Sequence, residues 1–205
     1  MKEFWDQRYA RAEYVYGREP NVFFADKLAE FRPKGRVLLA AEGEGRNAVY
    51  AARLGLEVYA FDQSAEGRRK ALEHAATAEV SMDYQVGDFG ELEYEAESFD
   101  VLGLIYAHFP PDVREDYNRR LASYVKPGGL VIFEAFGDRH LPLRAANPSV
   151  GGPGSQGMLF TEAEVQRSFT GYELLQLEQV EVELAEGAFH RGVGSVIRMV
   201  GRRRA

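Results

Sequence analysis

The chain has 205 residues, with 45% hydrophobic and 12% aromatic side chains, 25 basic against 32 acidic residues (net charge −7) and no cysteine. That apolar share builds a sizeable core and excludes wholesale disorder, and the missing thiols exclude a disulfide framework, a thiolate metal site and a cysteine nucleophile. The acidic balance argues against a nucleic-acid partner. The longest apolar run, residues 101–107, is too short to span a bilayer, and no apolar leader stretch follows Met1, which together with the lack of cysteine points to the cytoplasm.

In chain order, residues 1–36 read as a helical lead-in, with Asn21 capping a helix over 22–31. Residues 37–40 are a short apolar run ended by glycines, as in a buried strand. Residues 47–54 carry Ala48, Val49 and Ala52 at helical spacing, with Gly55 just beyond the end. A second strand covers 58–61. Ser64 then caps a helix running to about residue 78. Strands follow at 83–86 and 101–105, the latter unbroken in its hydrophobicity, as expected where both faces are covered. Pro111 and Asp112 open a helix that aligns Val113, Tyr117, Leu121 and Tyr124. Lys126-Pro127-Gly128-Gly129 stops it before a fifth strand at 130–133. Residues 149–157 hold four glycines and a proline and read as a loop. Thr161-Glu162-Ala163-Glu164 has capping-box spacing and predicts a short helix. Two strand-like runs, 174–184 and 195–200, finish the chain. Their connection is too short for a helix, which predicts an antiparallel pair. Alternating strands and helices define a doubly wound α/β sheet.

The turn after the first strand, Glu42-Gly43-Glu44-Gly45-Arg46-Asn47-Ala48, lets the backbone turn sharply and a ligand approach closely. It satisfies Gly-x-Gly-x-x-Ala, and Asp62 at the end of the second strand can grip two ribose hydroxyls. A pyrophosphate against this turn would face Glu42 and Glu44 at close range, which is costly. An ammonium and a sulfonium would not, so the charges favour S-adenosylmethionine over a dinucleotide. Gly87-Asp88-Phe89 ends the third strand with an acid and a ring suited to an adenine. Ile105 and Tyr106 leave the fourth at the carboxyl edge, where ligands sit in open α/β sheets.

On Gly43-Glu44-Gly45-Arg46-Asn47-Ala48, Asp62, Gly87-Asp88, Lys126-Pro127-Gly128-Gly129 and the terminal strand pair, the chain resembles class I S-adenosylmethionine-dependent methyltransferases over essentially its whole length. It is most similar to small-molecule enzymes of the tellurite-resistance and thiopurine types. The resemblance implies a Rossmann-like, seven-stranded mixed sheet whose last strand inserts antiparallel. It implies one domain over 1–205, with a lead-in or lid (1–36), a cofactor-binding core (37–136), and a substrate loop with terminal strands (137–205). Cofactor contacts are expected from Tyr16, Ala41, Glu42, Gly43, Gly45, Arg46, Asn47, Asp62, Gln63, Asp88, Phe89, Ile105 and Tyr106. One departure stands out: Leu39 holds the position where the family places an acid, and Ala41 stands at its first glycine, leaving Glu42 as the nearest replacement carboxylate.

Methyl transfer needs in-line positioning above all, and a base only for hydroxyl or amine acceptors. His108, after the fourth strand, and His190-Arg191, between the last two and similar to a His-Arg pair in tellurite-resistance methyltransferases, are the candidate catalytic residues. Residues 149–157 are expected to lie over the carboxyl edge as a lid. The four histidines lack metal-ligand spacing. The expected partner is a small-molecule acceptor, with no nucleic acid or membrane, for a monomer or homodimer. A nicotinamide-dependent oxidoreductase and a non-catalytic cofactor-binding protein are the alternatives.

Overall fold

A computed structural model describes residues 2–205. Two helices lead in, α1 (Lys2–Tyr9) and α2 (Val22–Phe31). They are followed by β1 (Arg36–Ala40), α3 (Arg46–Arg53), β2 (Glu57–Asp62), α4 (Ala65–Thr77), β3 (Asp83–Val86) and β4 (Phe99–Ile105). The chain continues through α5 (Arg114–Ser123), β5 (Val125–Phe136), α6 (His140–Ala146), α7 (Glu162–Ser168), β6 (Tyr172–Glu186) and β7 (His190–Arg203).

The seven strands form one sheet in the order β3-β2-β1-β4-β5-β7-β6. β1 to β5 pair in parallel, and β7 enters antiparallel between β5 and β6. The strand order reverses between β1 and β4, which opens a crevice at their carboxyl ends. This is the doubly wound sheet with a reversed last strand that the sequence implied.

Local chemistry sets the helix boundaries. Asn21 Oδ1 accepts from the Phe24 N–H at 3.0 Å, Ser64 Oγ from Gly67 at 3.1 Å and Thr161 Oγ1 from Glu164 at 3.2 Å. Each satisfies a donor that an uncapped helix start leaves unpaired, worth about 1 kcal/mol. On one face of the sheet Leu38, Leu102, Leu104, Val131 and Phe133 pack under α5 and α7; on the other, Val37, Leu39, Val101 and Ile132 pack under α2 to α4. Burying each such side chain contributes about 1.5–3 kcal/mol.

Three expectations change. Lys126-Pro127-Gly128-Gly129 lies within β5 as a bulge, the register jumping from Phe99–Val125 to Val101–Leu130, with Lys126 Nζ 2.8 Å from Asp100. α5 begins at Arg114, because Pro110 to Val113 form a turn in which the carbonyl of Pro110 accepts from both Val113 and Arg114. The 137–160 stretch, read as loop, contains α6 and two short 3₁₀ turns, Pro148–Val150 and Gln156–Met158.

Candidate functional site

A cavity of about 760 Å³ lies at the carboxyl edge of the sheet. Ala41 and Glu42 reach it from the end of β1, Asp62 and Gln63 from β2, Asp88 and Phe89 from β3, Ile105, Tyr106 and His108 from β4, Phe136 from β5 and His190 from the start of β7. Tyr16, Arg46 and Asn47 complete the inner wall. Trp5, Arg8 and Tyr9 of α1 cover one side, and Gly152, Pro153, Gly154 and Met158 another. The strand order puts the carboxylates of β1 to β3 at one end and the rings of β5 and β7 at the other.

The acidic end is built around the glycine turn. Asp62 is buried; its Oδ2 accepts from the Gly43 N–H at 3.0 Å and its Oδ1 from Ser64 at 2.8 Å. Burial pushes its pKa up to about 6 against these two hydrogen bonds. Glu42 is buried as well, taking the Ala48 N–H at 2.8 Å and the Asn47 amide at 3.3 Å; burial pushes it up to about 7. Glu44 turns to an ion pair with Lys70 and accepts from the Val15 N–H at 2.7 Å, binding the lead-in to α4. Ala41 has φ 53°, a left-handed conformation that favours glycine. The residue is not glycine, but its backbone takes a conformation that glycine favours.

Gly43 and Gly45 do not line the cavity. A Cβ on Gly43 would stand 2.5 Å from the Tyr9 hydroxyl, and one on Gly45 would stand 2.6 Å from Ala71 Cβ. Their missing side chains let α1 and α4 close onto the turn; the approach to the cavity is made by the neighbouring residues.

The other end is aromatic. The His190 ring centroid lies 4.6 Å from Tyr16, 4.8 Å from Tyr106 and 5.3 Å from Phe136. Its Nδ1 is 3.0 Å from Glu186 Oε2, which Arg46 Nη2 also reaches at 2.9 Å. Asn21 Nδ2 donates to Glu186 Oε1 at 3.0 Å and to Glu134 Oε1 at 2.7 Å, and Arg198 Nε meets Glu134 Oε2 at 2.6 Å. Burial alone would raise the Glu186 carboxyl, but His190 and Arg46 hold it down at about 2. Burial lowers the His190 pKa despite Glu186, so the ring is neutral at pH 7. The carboxylate then fixes the proton on Nδ1 and leaves Nε2 as a lone-pair nitrogen.

His108 lies within the wall, its ring parallel to Phe136 at 6.2 Å, with Nδ1 buried and unpartnered. Burial, reinforced by His190, lowers its pKa to about 3. Arg191 points away: its Nε donates to the Gly187 carbonyl at 2.9 Å and the side chain is exposed, because the hairpin turn sends alternate residues to opposite faces. Arg46, expected as a cofactor contact, lines the cavity with its guanidinium paired to Glu186.

The sequence points to a lead-in or lid over residues 1–36 but not to Trp5, Arg8 and Tyr9 in particular, nor to Glu186. Trp5 and Tyr9 stand four apart and stack at 5.4 Å, so their helical spacing was the available signal. Glu186 stands four before His190 and gives none, since the connection between the last two strands reads as residues 187–194, whereas β7 already begins at His190.

Residues 37–129 match the family model described as "Methyltransferase domain". Residues 37–129 thus carry a methyltransferase domain, and the sheet order is that of the class I S-adenosylmethionine-dependent methyltransferase fold. Among solved structures, the chain is similar to a protein described with the conversion of a disulfide bond into a thioacetal group during echinomycin biosynthesis (TM-score 0.74, 20% identity, covering 100% of this chain and 92% of that one). It is similar to TehB from Haemophilus influenzae (TM-score 0.71, 15% identity, 99% and 67%). It is also similar to magnesium protoporphyrin IX methyltransferase from Synechocystis PCC 6803 with bound SAH (TM-score 0.67, 18% identity, 87% and 80%). No curated protein matches the sequence significantly. No helix among the described residues is long and apolar enough to cross a membrane.

Proposed function

We propose that the protein moves a methyl group from S-adenosylmethionine to a small-molecule acceptor carrying a removable proton, with His190 as the base. The observation that carries this reading is the Glu186–His190 pair, which sets a carboxylate-oriented imidazole in the wall of the same cavity as Asp62.

The residues present fit the cofactor. Asp62 ends β2 with a carboxylate for two ribose hydroxyls, and Asp88 and Phe89 offer an acceptor and a ring for the adenine. Ala41, Glu42, Asn47 and Gln63 line the approach, with Ile105 and Tyr106 across from them. The cofactor supplies an electrophilic methyl on a sulfonium. Asp62, ionised above about pH 6, and Glu42, which burial raises to about 7, are the carboxyls on this side and suit a positive charge. Tyr16, Tyr106 and Phe136 exclude water around His190, and an acceptor held among them has few ways to sit. As the new bond forms, the acceptor's proton passes to His190 Nε2, and the imidazolium is stabilised by Glu186. His108 stays uncharged and lends a polar atom to the acceptor's surroundings. The cover formed by α1 and residues 152–154 suits a small molecule better than a chain or a duplex.

The test is a turnover screen with methyl-labelled donor against thiols, amines, phenols and carboxylic acids. Labelled product from at least one class, lost in His190→Ala while SAH still binds, is expected. SAH binding with no transfer to any class would leave a cofactor-binding protein without catalysis.

A further inference from the structure

Most cations of the cavity wall are already engaged. Arg46 pairs with Glu186; Arg8 donates to the Tyr16 hydroxyl at 3.0 Å and lies over the rings of Phe4 and Phe189. Arg144 differs. It projects from α6 into the wall, and among the described residues neither a carboxylate nor any other acceptor meets it. Its Nε is buried and unpartnered. Gly154 lies flat against its guanidinium, a Cβ there standing 3.2 Å from Nη1. A guanidinium with a dry, unmatched nitrogen is a costly feature unless an anion meets it.

The surroundings say which ligand. The wall carboxylates, Glu42, Glu44, Asp62 and Asp88, all come from the β1 to β3 side. Arg144 follows β5 in the chain, Gly154 lies against its guanidinium, and the cavity wall also includes the apolar Phe136, Pro153 and Met158. An apolar wall with one fork-shaped cation matches a planar anion on an apolar body, because a guanidinium holds a carboxylate by two parallel hydrogen bonds.

We infer that the acceptor is an aromatic or aliphatic carboxylate whose anionic group is anchored by Arg144 beneath the 152–154 segment. This rests on the methyltransferase reading, since it takes this end of the cavity as the acceptor's. The other carboxylate that Arg144 could hold is the cofactor's own, and the test separates the two.

The experiment measures binding of 3-phenylpropanoate and of its neutral amide to the SAH-loaded protein, by calorimetry and by fluorescence of Trp5, the single tryptophan and a cavity residue. The acid should bind at least about tenfold more tightly than the amide, the scale of a charge-assisted pair. Arg144→Gln should erase that preference, keep the melting temperature and leave SAH affinity unchanged; Arg144→Lys should restore part of it. Equal binding of acid and amide, no saturable binding of the acid at millimolar concentration, or an unaltered preference in Arg144→Gln would overturn the inference. So would weaker SAH binding in that variant, which would give Arg144 to the cofactor. Methyl transfer does not enter these readouts. SAH binding to the wild type is recorded first, so failure of the methyltransferase reading shows there and not in the acid–amide comparison.

Discussion

The two ends of the cavity are assembled differently. At the acidic end, the carboxylates sit at or shortly after parallel strands, and Asp62 is fixed by backbone N–H groups, from Ser64 two residues on and from Gly43 in the turn after the adjacent strand. At the aromatic end, His190 depends on Glu186, Arg46 and Asn21, drawn from three regions of the chain and held by side-chain bonds. The first end is backbone geometry and tolerates loss of distant residues. The second is a charge network, where removing one member strands another.

That contrast predicts a sharp split in mutant behaviour. The largest effect is expected for His190→Ala: turnover falls by about 10²–10⁴, the range of general-base catalysis, while SAH affinity measured by calorimetry stays constant. Equal loss of both would erase the division between the ends. Asp62→Ala should do the reverse, weakening SAH binding by more than about tenfold through loss of charge-assisted hydrogen bonds. Wild-type affinity should also fall as the pH drops through about 6, where Asp62 takes up a proton. A flat binding curve from pH 5 to 8 (assay range, about one unit or more either side of that value) would remove the carboxylate from the site.

Glu186→Gln tests the network itself. The charge that supports protonated His190 disappears, so the acid limb of the rate profile should move to lower pH, with turnover down about tenfold. Arg46 loses its partner, so thermal unfolding should come earlier. A lower melting temperature with an unmoved pH profile would make Glu186 a structural acid only. Deleting residues 151–154 should cut turnover sharply and change SAH affinity by no more than about threefold. The smallest effect is expected at Ala41. Replacing it with glycine relieves a left-handed φ of 53° and should raise stability by about 0.5–1 kcal/mol in denaturant melts, without altering turnover.

The same contrast explains what could be read from the sequence. Strand order, the caps at Asn21, Ser64 and Thr161, and the acids at 62 and 88 follow from local patterns: a glycine turn, an apolar run, an acid at its end. The aromatic end was only half visible. His108 and His190 stood out as residue types, but the pairing of Glu186 with Arg46 spans 140 positions and leaves no periodic trace. Arg191 looked equivalent to His190 until the turn at Gly187 set which face each one takes. α6 was hidden because proline at its third position and a glycine-rich sequel look like loop.

The insertion of β7 between β5 and β6 has a consequence for biosynthesis. Of the seven strands, it is translated last yet occupies an interior slot, so both neighbouring edges stay unpaired until it emerges. The nascent chain therefore carries two open strand edges, and aggregation during synthesis is the hazard to expect. His190 is the first residue of that strand. The residues of the carboxylate end precede β7 in the chain, so on the proposed function the base is the last part of the site to be placed.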